Sequence, residues 1–189
     1  MNYQPKFNEQ KATEVASILL DLKGGRVEYL WLMKMLYIIE RESYNKWERP
    51  IIYDDYRSMD KGPVLMTVYN LITGRYEGTF WKKCILTFPK KSAHKYEVCL
   101  NGTLPKIRNL SESEVSLIRE KFDEFKDLDR WDLVELTHRF PEWTDPHGGP
   151  SIPIYVDYLL EKLNYSAADI QRISREIKEE AALDEILGV

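Results

Sequence analysis

The sequence predicts an α+β fold that is predominantly α-helical, with a helical bundle around a central buried helix and a small antiparallel hairpin or sheet. Apolar residues recur with a period near 3.6 through most of the chain, as they do in amphipathic helices. Between residues 79 and 101 the period changes to two, which is typical of strands. The 189 residues, 43% of them apolar, are enough for one domain with a substantial core.

Two helices are predicted at the start of the chain. Asn8 is a suitable N-cap for the first, whose apolar residues follow Val15 at the third, fourth and seventh positions after it. The pair Gly24-Gly25 ends this helix, since glycine accepts the left-handed backbone that follows a helix C-terminus. The second helix, over residues 27–44, is apolar around nearly its whole circumference. We therefore expect it at the centre of the core.

A glycine–proline step and two alternating runs follow these helices. Pro63 suits the first position of a third helix, because the N–H that proline lacks would have no helical partner there. Residues 79–88 and 95–101 predict an antiparallel hairpin, and a short strand near Ile51 is a candidate third member of the sheet.

Side-chain caps mark the helices of the second half. Ser111 and Glu114 are spaced as a capping box, in which each side chain binds the backbone N–H of the other residue. Asp129 is the expected N-cap of the following helix. The pattern of that helix predicts that the ring of Trp131 is buried in the core.

Prolines and glycines concentrated between residues 141 and 153 mark the strongest loop signal of the chain. They divide it into a predicted domain over residues 1–150 and a helical extension over residues 151–189. The last helix of the extension is acidic on one side and apolar on the other. Such a helix either packs on the same domain or forms an interaction arm.

Composition limits the classes of function. A net charge of -4 and an isoelectric point near 5.5 disfavour a general nucleic-acid binder, which is normally basic. No apolar run approaches the roughly 20 residues of a membrane span, and the N-terminus lacks the basic start and apolar run of a signal peptide. We expect a cytoplasmic protein, in which Cys84 and Cys99 stay reduced.

No residue pattern predicts a catalytic residue, a cofactor or a metal site. Glu135 and His138 share a helix face, but a di-iron site needs a second Glu-x-x-His pair, and the sequence has none. The cysteines lie among apolar residues of the predicted strands, which indicates small buried side chains. The alternative is a nucleic-acid-processing enzyme that brings Asp54 and Asp55 together with Glu135 and His138.

Lysines and aromatic residues are interleaved in the alternating runs, beginning with Trp81, Lys82 and Lys83. Aromatic rings among lysines can bind single-stranded nucleic acid by stacking and phosphate contact. Lysines on an edge strand also prevent sheet-to-sheet aggregation. The acidic chain favours the second interpretation.

Three short segments carry a recognisable pattern in a fixed order. They contain Lys34-Met35-Leu36-Tyr37 with Arg41, then Tyr56 and Met59 with Gly62-Pro63-Val64, and finally Trp131 with Thr137-His138 and Trp143. Together they resemble the Panacea domain, the SocA-like antitoxin domain of bacterial and phage toxin–antitoxin pairs. The chain departs from the usual family pattern at Glu40, where Asp is more frequent, and at Leu65, where Pro is frequent.

The resemblance implies an antitoxin of the type II kind, which neutralises a co-encoded toxin by direct protein–protein binding and is not an enzyme. It leaves open a role as a proteolytic adaptor, with a cytoplasmic AAA+ protease as a second partner. A homodimer also remains open. The remaining alternative is a DNA-binding regulator of phage or prophage origin, which the acidic charge disfavours.

Loops beside a rigid helix suit recognition, and aromatic side chains often dominate binding energy. We therefore expect the toxin to contact six residues near the predicted loops and the hairpin. These residues are Tyr53, Tyr56, Met59, Trp81, Lys82 and Lys83.

Overall fold

A computed structural model describes residues 7–89 and 96–187, which form eight helices and two three-stranded antiparallel sheets. The helices are α1 (Glu9–Leu22), α2 (Tyr29–Trp47), α3 (Met66–Thr73), α4 (Trp81–Cys84), α5 (Glu112–Phe125), α6 (Arg130–His138), α7 (Val156–Lys162) and α8 (Ala167–Leu187). The strands are β1 (Arg26–Glu28), β2 (Tyr56–Met59), β3 (Gly62–Leu65), β4 (Ile85–Pro89), β5 (Tyr96–Leu100) and β6 (Ile152–Pro153). The predominantly helical α+β class predicted from the sequence is confirmed.

Helix α2 is the centre of the core, as its sequence predicts. Every residue from Leu30 to Glu40 is buried, and the helix packs against α1, α5, α6 and strand β3. It begins two residues later than predicted because Val27 belongs to β1 and lies opposite Val98 of β5. Val27, an apolar residue just before the helix, therefore belongs to the adjacent sheet and not to the helix.

The predicted hairpin is only partly correct. Strand β4 pairs with β5, but the start of the first run is the helical turn α4, whose Trp81 is buried. The carboxylate of Glu9 accepts the backbone N–H groups of Phe80 and Trp81 at 2.5 and 2.9 Å, which stabilises this turn. Residue 95 lies outside the described residues.

The third strand of this sheet is β1, so the prediction of a strand near Ile51 is wrong. The backbone N–H groups of Ile51, Ile52 and Tyr53 all donate to the buried carboxylate of Glu40, at 2.9–3.1 Å. These donors are therefore not free to pair with a strand.

Pro63 does not begin a helix. It lies in β3, opposite Ser58 of β2, and the two strands form a hairpin with a two-residue turn at Asp60 and Lys61. Helix α3 begins at Met66, and the distant carboxylate of Asp54 accepts hydrogen bonds from its first turn, including the N–H of Val68 at 3.0 Å. A cap from so far along the chain leaves no local sequence signal.

The predicted caps of the other helices are confirmed. Asn8 accepts a hydrogen bond from the N–H of Lys11, and Ser111 and Asp129 each begin a complete capping box. The predicted burial of the Trp131 ring, however, is wrong. The side chain is 41% exposed, because α6 turns Leu133 and Thr137 inward instead.

The segment after residue 150 joins the elements before it. Strand β6 pairs with β2, and Ile154 is buried. Ile173 and Ile177 of helix α8 are buried, and the helix packs against α7. Within the described ranges, no helix is both long and apolar enough to cross a membrane.

Candidate functional site

The three motif segments of the sequence meet at one place in the fold, which we call the motif cluster. Helix α2 contributes Lys34, Tyr37 and Arg41 from its centre, and the β2–β3 hairpin contributes its turn. Helix α6 contributes its C-terminal end and the loop that follows. Contacts between these segments hold the hairpin turn in position.

Lys34 is a fully buried lysine in the middle of α2. Its Nζ donates a hydrogen bond to the carbonyl oxygen of Pro63 at 2.8 Å, which ties α2 to β3. Burial disfavours the charged amine and lowers the pKa of Lys34 from 10.5 to about 7. Near neutral pH this lysine therefore exchanges between charged and neutral forms.

Gly62 is the point at which the segments come closest. Its φ is +91°, a conformation that L side chains rarely adopt. A Cβ built on it would lie 2.8 Å from Thr137 Oγ1 and 2.9 Å from Lys34 Nζ. The motif glycine thus allows α2, β3 and α6 to approach each other.

The end of α6 is joined to the hairpin turn by an aromatic pair. The rings of His138 and Trp143 stack with centroids 3.9 Å apart and an interplanar angle of 10°. The Nε1 of Trp143 donates to the carbonyl oxygen of Met59 at 3.1 Å. Burial, followed by the nearby charge of Lys34, lowers the pKa of His138, so the ring is favoured in its neutral form at neutral pH.

Glu142 joins the loop after α6 to helix α2. Its Oε1 accepts hydrogen bonds from Tyr37 Oη at 3.0 Å and from Arg41 Nε at 2.8 Å. The guanidinium of Arg41 also lies 4.4 Å from the ring centroid of Phe140. The tyrosine and arginine of the first motif therefore orient the loop that carries Trp143.

Glu40, which occupies the position of the usual aspartate, organises the segment before β2. In addition to three backbone N–H groups, its Oε1 accepts a hydrogen bond from Tyr56 Oη at 2.8 Å. Burial raises the pKa of Glu40 to about 7. This role is not predicted from the sequence, where the only signal for it is a carboxylate directly after the apolar residues Ile38 and Ile39.

Two of the six predicted contact residues are internal. Tyr56 is 2% exposed and Trp81 is 3% exposed, so neither ring is accessible to a partner in this conformation. Tyr56 begins β2 after a loop, and Trp81 begins the short helical turn before β4, which is why the pattern predicts loops or edges there. Burial of these rings stabilises the core instead.

The other four predicted contact residues are at least partly accessible, but they lie in different surroundings. Tyr53 is half-buried and donates from its hydroxyl to Glu180 of α8 at 2.6 Å. Met59 lies in the wall of a cavity beside the motif cluster. Lys82 and Lys83 are exposed on α4, which packs against α1. The structure does not bring the six residues together as one cluster.

The cavity beside the motif cluster has a volume of about 190 Å³. Helices α2 and α3 and the β2–β3 hairpin form it, and we call it the Lys34 cavity. Its lining residues are Tyr29, Leu30, Met33, Lys34, Met59, Asp60, Lys61, Val64 and Tyr69.

An exposed tryptophan lies next to this cavity. The Nζ of Lys61 is 5.2 Å from the ring centroid of Trp131, and the guanidinium of Arg130 is 5.3 Å from it. These distances are typical of cation–π contacts. Arg130 is itself ion-paired with Glu28. Lys61 both lines the cavity and lies against Trp131, and we call the cavity lining at Lys61 together with Trp131 the Trp131 surface.

The residues of the enzyme alternative have separate structural roles. Asp54 binds the first turn of α3, and Asp55 pairs with Arg57 at 2.7 Å. Glu135 is exposed, whereas the His138 ring is stacked on Trp143. Within residues 7–89 and 96–187, no group of three or more His, Cys, Asp or Glu side chains is arranged to hold a metal ion.

The family model of the antitoxin SocA-like, Panacea domain matches residues 32–144 of this chain. The matched range covers more than half of the 189 residues and runs from α2 to the loop after α6, so it contains the motif cluster. The chain therefore belongs to this antitoxin-like family, as the three sequence segments predict. Comparison with curated proteins and with solved structures gives no significant match.

Proposed function

We propose that this member of the SocA-like antitoxin family neutralises a co-encoded toxin by direct protein–protein contact at the Trp131 surface. The observation that carries the proposal is the arrangement of the family segment. Its buried residues form one network that holds the β2–β3 turn, and the turn presents its exposed side chains beside an exposed tryptophan. Membership of an antitoxin-like family favours a binding protein over an enzyme.

The composition of this surface suits a binding hot spot. Trp and Arg are enriched among residues whose truncation costs a complex the most energy. Trp131 is 41% exposed although it lies in a motif segment, and two cationic side chains lie close to its ring. A large ring that contributes little to the core is available to bury surface in a complex.

The support beneath the surface is rigid, which lowers the entropic cost of binding. Main-chain oxygens at both ends of the turn accept hydrogen bonds from side chains of other elements: Met59 from the half-buried Trp143, and Pro63 from the buried Lys34. The turn is therefore held before a partner arrives, and little ordering of the hairpin is needed in the complex.

The proposal is tested by co-expression with the product of the adjacent gene. Wild-type protein should restore growth, and Trp131→Ala should weaken binding by about thirtyfold, which corresponds to a hot spot of roughly 2 kcal/mol. Phe80→Ala is the matched control, because Phe80 is also 41% exposed but lies beside α4. Growth inhibition that persists while folded wild-type protein is abundant would disprove antitoxin action against that neighbour.

The same experiment compares the two surfaces and the two modes of neutralisation. Loss of protection with Phe80→Ala but not with Trp131→Ala would move the contact to α4, near Lys82 and Lys83. Measuring the toxin level during rescue distinguishes masking from delivery to a protease. An unchanged level supports masking by contact, whereas a level that falls only in the presence of an AAA+ protease supports the adaptor role.

A further inference from the structure

We propose that two copies of this chain associate through their β4 strands, which pair edge to edge and antiparallel around a two-fold axis at Thr87. The two three-stranded sheets then join into one six-stranded sheet. The inference goes beyond the proposed function, because it assigns a second copy of the chain to a part of the molecule outside the Trp131 surface.

Strand β4 forms one edge of its sheet. The strand order is β1-β5-β4, so β4 has β5 on one side and, among the described residues, no strand on the other. An unpaired edge presents backbone N–H and C=O groups to a strand of another chain. The opposite edge, β1, is better protected against such pairing, because two of its three residues, Arg26 and Glu28, are charged.

Two hydrogen bonds show which residues of β5 face β4. The N–H of Leu100 donates at 2.9 Å to Gly25, on the β1 side, and the N–H of Asn101 donates at 2.8 Å to Cys84, on the β4 side. Successive residues of a strand direct their backbone groups alternately to the two neighbouring strands. The backbone groups of residues 97 and 99 therefore face β4, as the N–H of Asn101 does.

The same alternation assigns the backbone groups of β4. Leu86 and Phe88 lie opposite Cys99 and Glu97, so their N–H and C=O groups bond to β5. The N–H and C=O of Thr87 then point away from β5, to the open edge. Within residues 7–89 and 96–187, no loop, turn or side-chain hydrogen bond involves either group. Both groups of Thr87 can therefore pair with a strand of another chain.

The exposed side chains of β4 are apolar. Leu86 is 37% exposed and Phe88 is 44% exposed. They lie together on the outer face of the sheet, because they alternate along the strand with Thr87 and with Ile85, which is buried. Covering these two side chains would stabilise a complex, since apolar surface is removed from water.

A second copy fits this edge because β4 is complementary to itself about Thr87. With the two-fold axis at that residue, the two Thr87 backbones exchange N–H···O=C bonds as a hydrogen-bonded antiparallel pair. Leu86 of each copy then lies opposite Phe88 of the other copy, in the more closely spaced pairs on either side. The four exposed apolar side chains meet on one face, and the contact closes at two copies.

The charge of β4 permits this contact. The sequence predicts Lys82 and Lys83 in the first strand of the hairpin, where lysines at an edge would oppose pairing, but both lie on α4. Residues 85–89 carry no charged side chain. Pairing of two β4 strands thus places no like charges directly opposite each other, and a nucleic acid would find no cation along the strand.

The paired segment is short, which limits the strength of association. Pro89 has no N–H, and the N–H of Ile85 already donates to Trp81, so the hydrogen bonds between copies centre on Thr87. A contact limited to one short strand lies below the roughly 1,200 Å² of standard interfaces. We therefore expect a reversible dimer whose population rises with protein concentration.

The first test is the oligomeric state of the full chain, measured by sedimentation velocity. Wild type should change from monomer to dimer as its concentration rises. Thr87→Pro should remain monomeric, because it removes the outward N–H and leaves the hydrogen bonds to β5 in place. Tyr76→Ala is the matched control, since Tyr76 is 46% exposed but lies outside β4, and this variant should dimerise as wild type does.

A second variant decides the case if Thr87→Pro does not fold. Leu86→Lys keeps every backbone group of β4 and places a charge in the apolar contact, so it should also prevent dimerisation. Dimers that persist in the folded variants would overturn the β4 interface. A wild type that is monomeric at every concentration would overturn it as well, and would leave the edge for a strand of a different protein.

The second test examines the register of the pairing. Leu86→Cys and Phe88→Cys are made in separate chains that also carry Cys84→Ser and Cys99→Ala, and the two are mixed under mild oxidation. The Cα atoms of residues 86 and 88 of opposite copies should lie about 4.5 Å apart, within disulfide range. Identical residues lie on a diagonal of roughly 7–8 Å. The mixture should therefore give a crosslinked dimer, and neither variant alone should.

Crosslinking that occurs in the mixture alone supports pairing around Thr87. Crosslinks formed equally well by each variant alone, or by no combination, overturn this register and with it the proposal. Neither test uses the toxin, so a negative result leaves the proposed function standing, and a failure of toxin binding leaves the dimer standing.

Discussion

Gly62 shows how the absence of a side chain at one position can determine the packing of a site. Segments that are distant in sequence place Thr137 Oγ1 and Lys34 Nζ 2.8 and 2.9 Å from the position where a Cβ would lie. The left-handed backbone at this residue adds a second requirement for glycine. The motif glycine is therefore required by both close approach and conformation.

We expect Gly62→Ala to destabilise the protein by roughly 2–4 kcal/mol, because backbone strain and the two close contacts add. Gly74→Ala is the matched control. Gly74 also has a positive φ, +72°, but nothing lies within 4 Å of the position that its Cβ would occupy, so strain alone should cost about 1–2 kcal/mol. Urea denaturation of both variants measures the difference. Equal losses would show that the contacts around Gly62 relax at little cost.

Lys34 makes the stability of the protein depend on pH in a predictable direction. The unfolded chain keeps this proton up to pH 10.5, whereas the folded protein loses it near pH 7. Between these values the unfolded state binds more protons, so the contribution of Lys34 to stability rises with pH. The slope is at most about 1.4 kcal/mol per pH unit.

The free energy of unfolding of wild type relative to Lys34→Met should therefore increase between about pH 7.5 and 9.5. Denaturation of both proteins at several pH values gives this difference, and Lys106→Met serves as the exposed control. A difference that stays constant over the range would mean that Lys34 keeps a normal pKa in the folded protein.

At the scale of elements, the sequence predicts the presence of helices better than the residues at which they begin and end. The capped helices are recognisable because their caps are local, as with Ser111 and Glu114. The start of α3 is not recognisable in the sequence, because the backbone N–H groups of its first turn donate to Asp54, a residue outside the helix. The exclusion of the Ile51 segment from a sheet depends similarly on Glu40, a side chain of another element. Long-range polar contacts of this kind leave no periodic signal.

The candidate site, like the helices, is only partly predictable from the sequence. Its motif residues are visible in the sequence, but the cavity, the exposure of Trp131 and the burial of Tyr56 and Trp81 depend on how elements face each other. Trp131 lies in the first turn of α6, where the apolar pattern is too short to define the buried side.

Two tryptophans allow the orientation of their helices to be tested directly. Trp131→Ala should lower stability by less than about 1.5 kcal/mol, because much of the ring already contacts solvent. Trp81→Ala removes a ring that is only 3% exposed and should cost roughly 3–5 kcal/mol. Thermal and urea denaturation of the two variants give the comparison. A large loss for Trp131→Ala would place its ring in the core and remove it from the proposed surface.

At the scale of the whole molecule, the question is whether residues 151–187 unfold separately from the rest of the chain or together with it as one cooperative unit. Strand β6 pairs with β2, and the hydroxyl of Tyr165 donates to the carbonyl oxygen of Tyr44 at 2.7 Å. Helix α8 is joined to the preceding part by Arg172, which pairs with Glu48 at 2.9 Å. These contacts link the extension to α2 and to the hairpin that supports the Trp131 surface.

Replacing Ile173 and Ile177 by alanine tests whether α8 unfolds together with the rest of the chain, because these two side chains of α8 are almost fully buried. We expect amide hydrogen exchange to accelerate in α7 and α8 while the centre of α2 stays protected, since α2 has its own neighbours in α1, α5 and α6. A control variant, Ala182→Ser, changes an exposed position of the same helix and should leave exchange unaltered. Equal acceleration in α2 and α8 would show instead that the chain unfolds as one unit, and the boundary near residue 150 would then not separate two units of different stability.

If exchange accelerates only in α7 and α8, toxin binding at the Trp131 surface should persist in the double variant. The side chains that hold the β2–β3 turn come from α2 and from the loop after α6, and neither segment is changed.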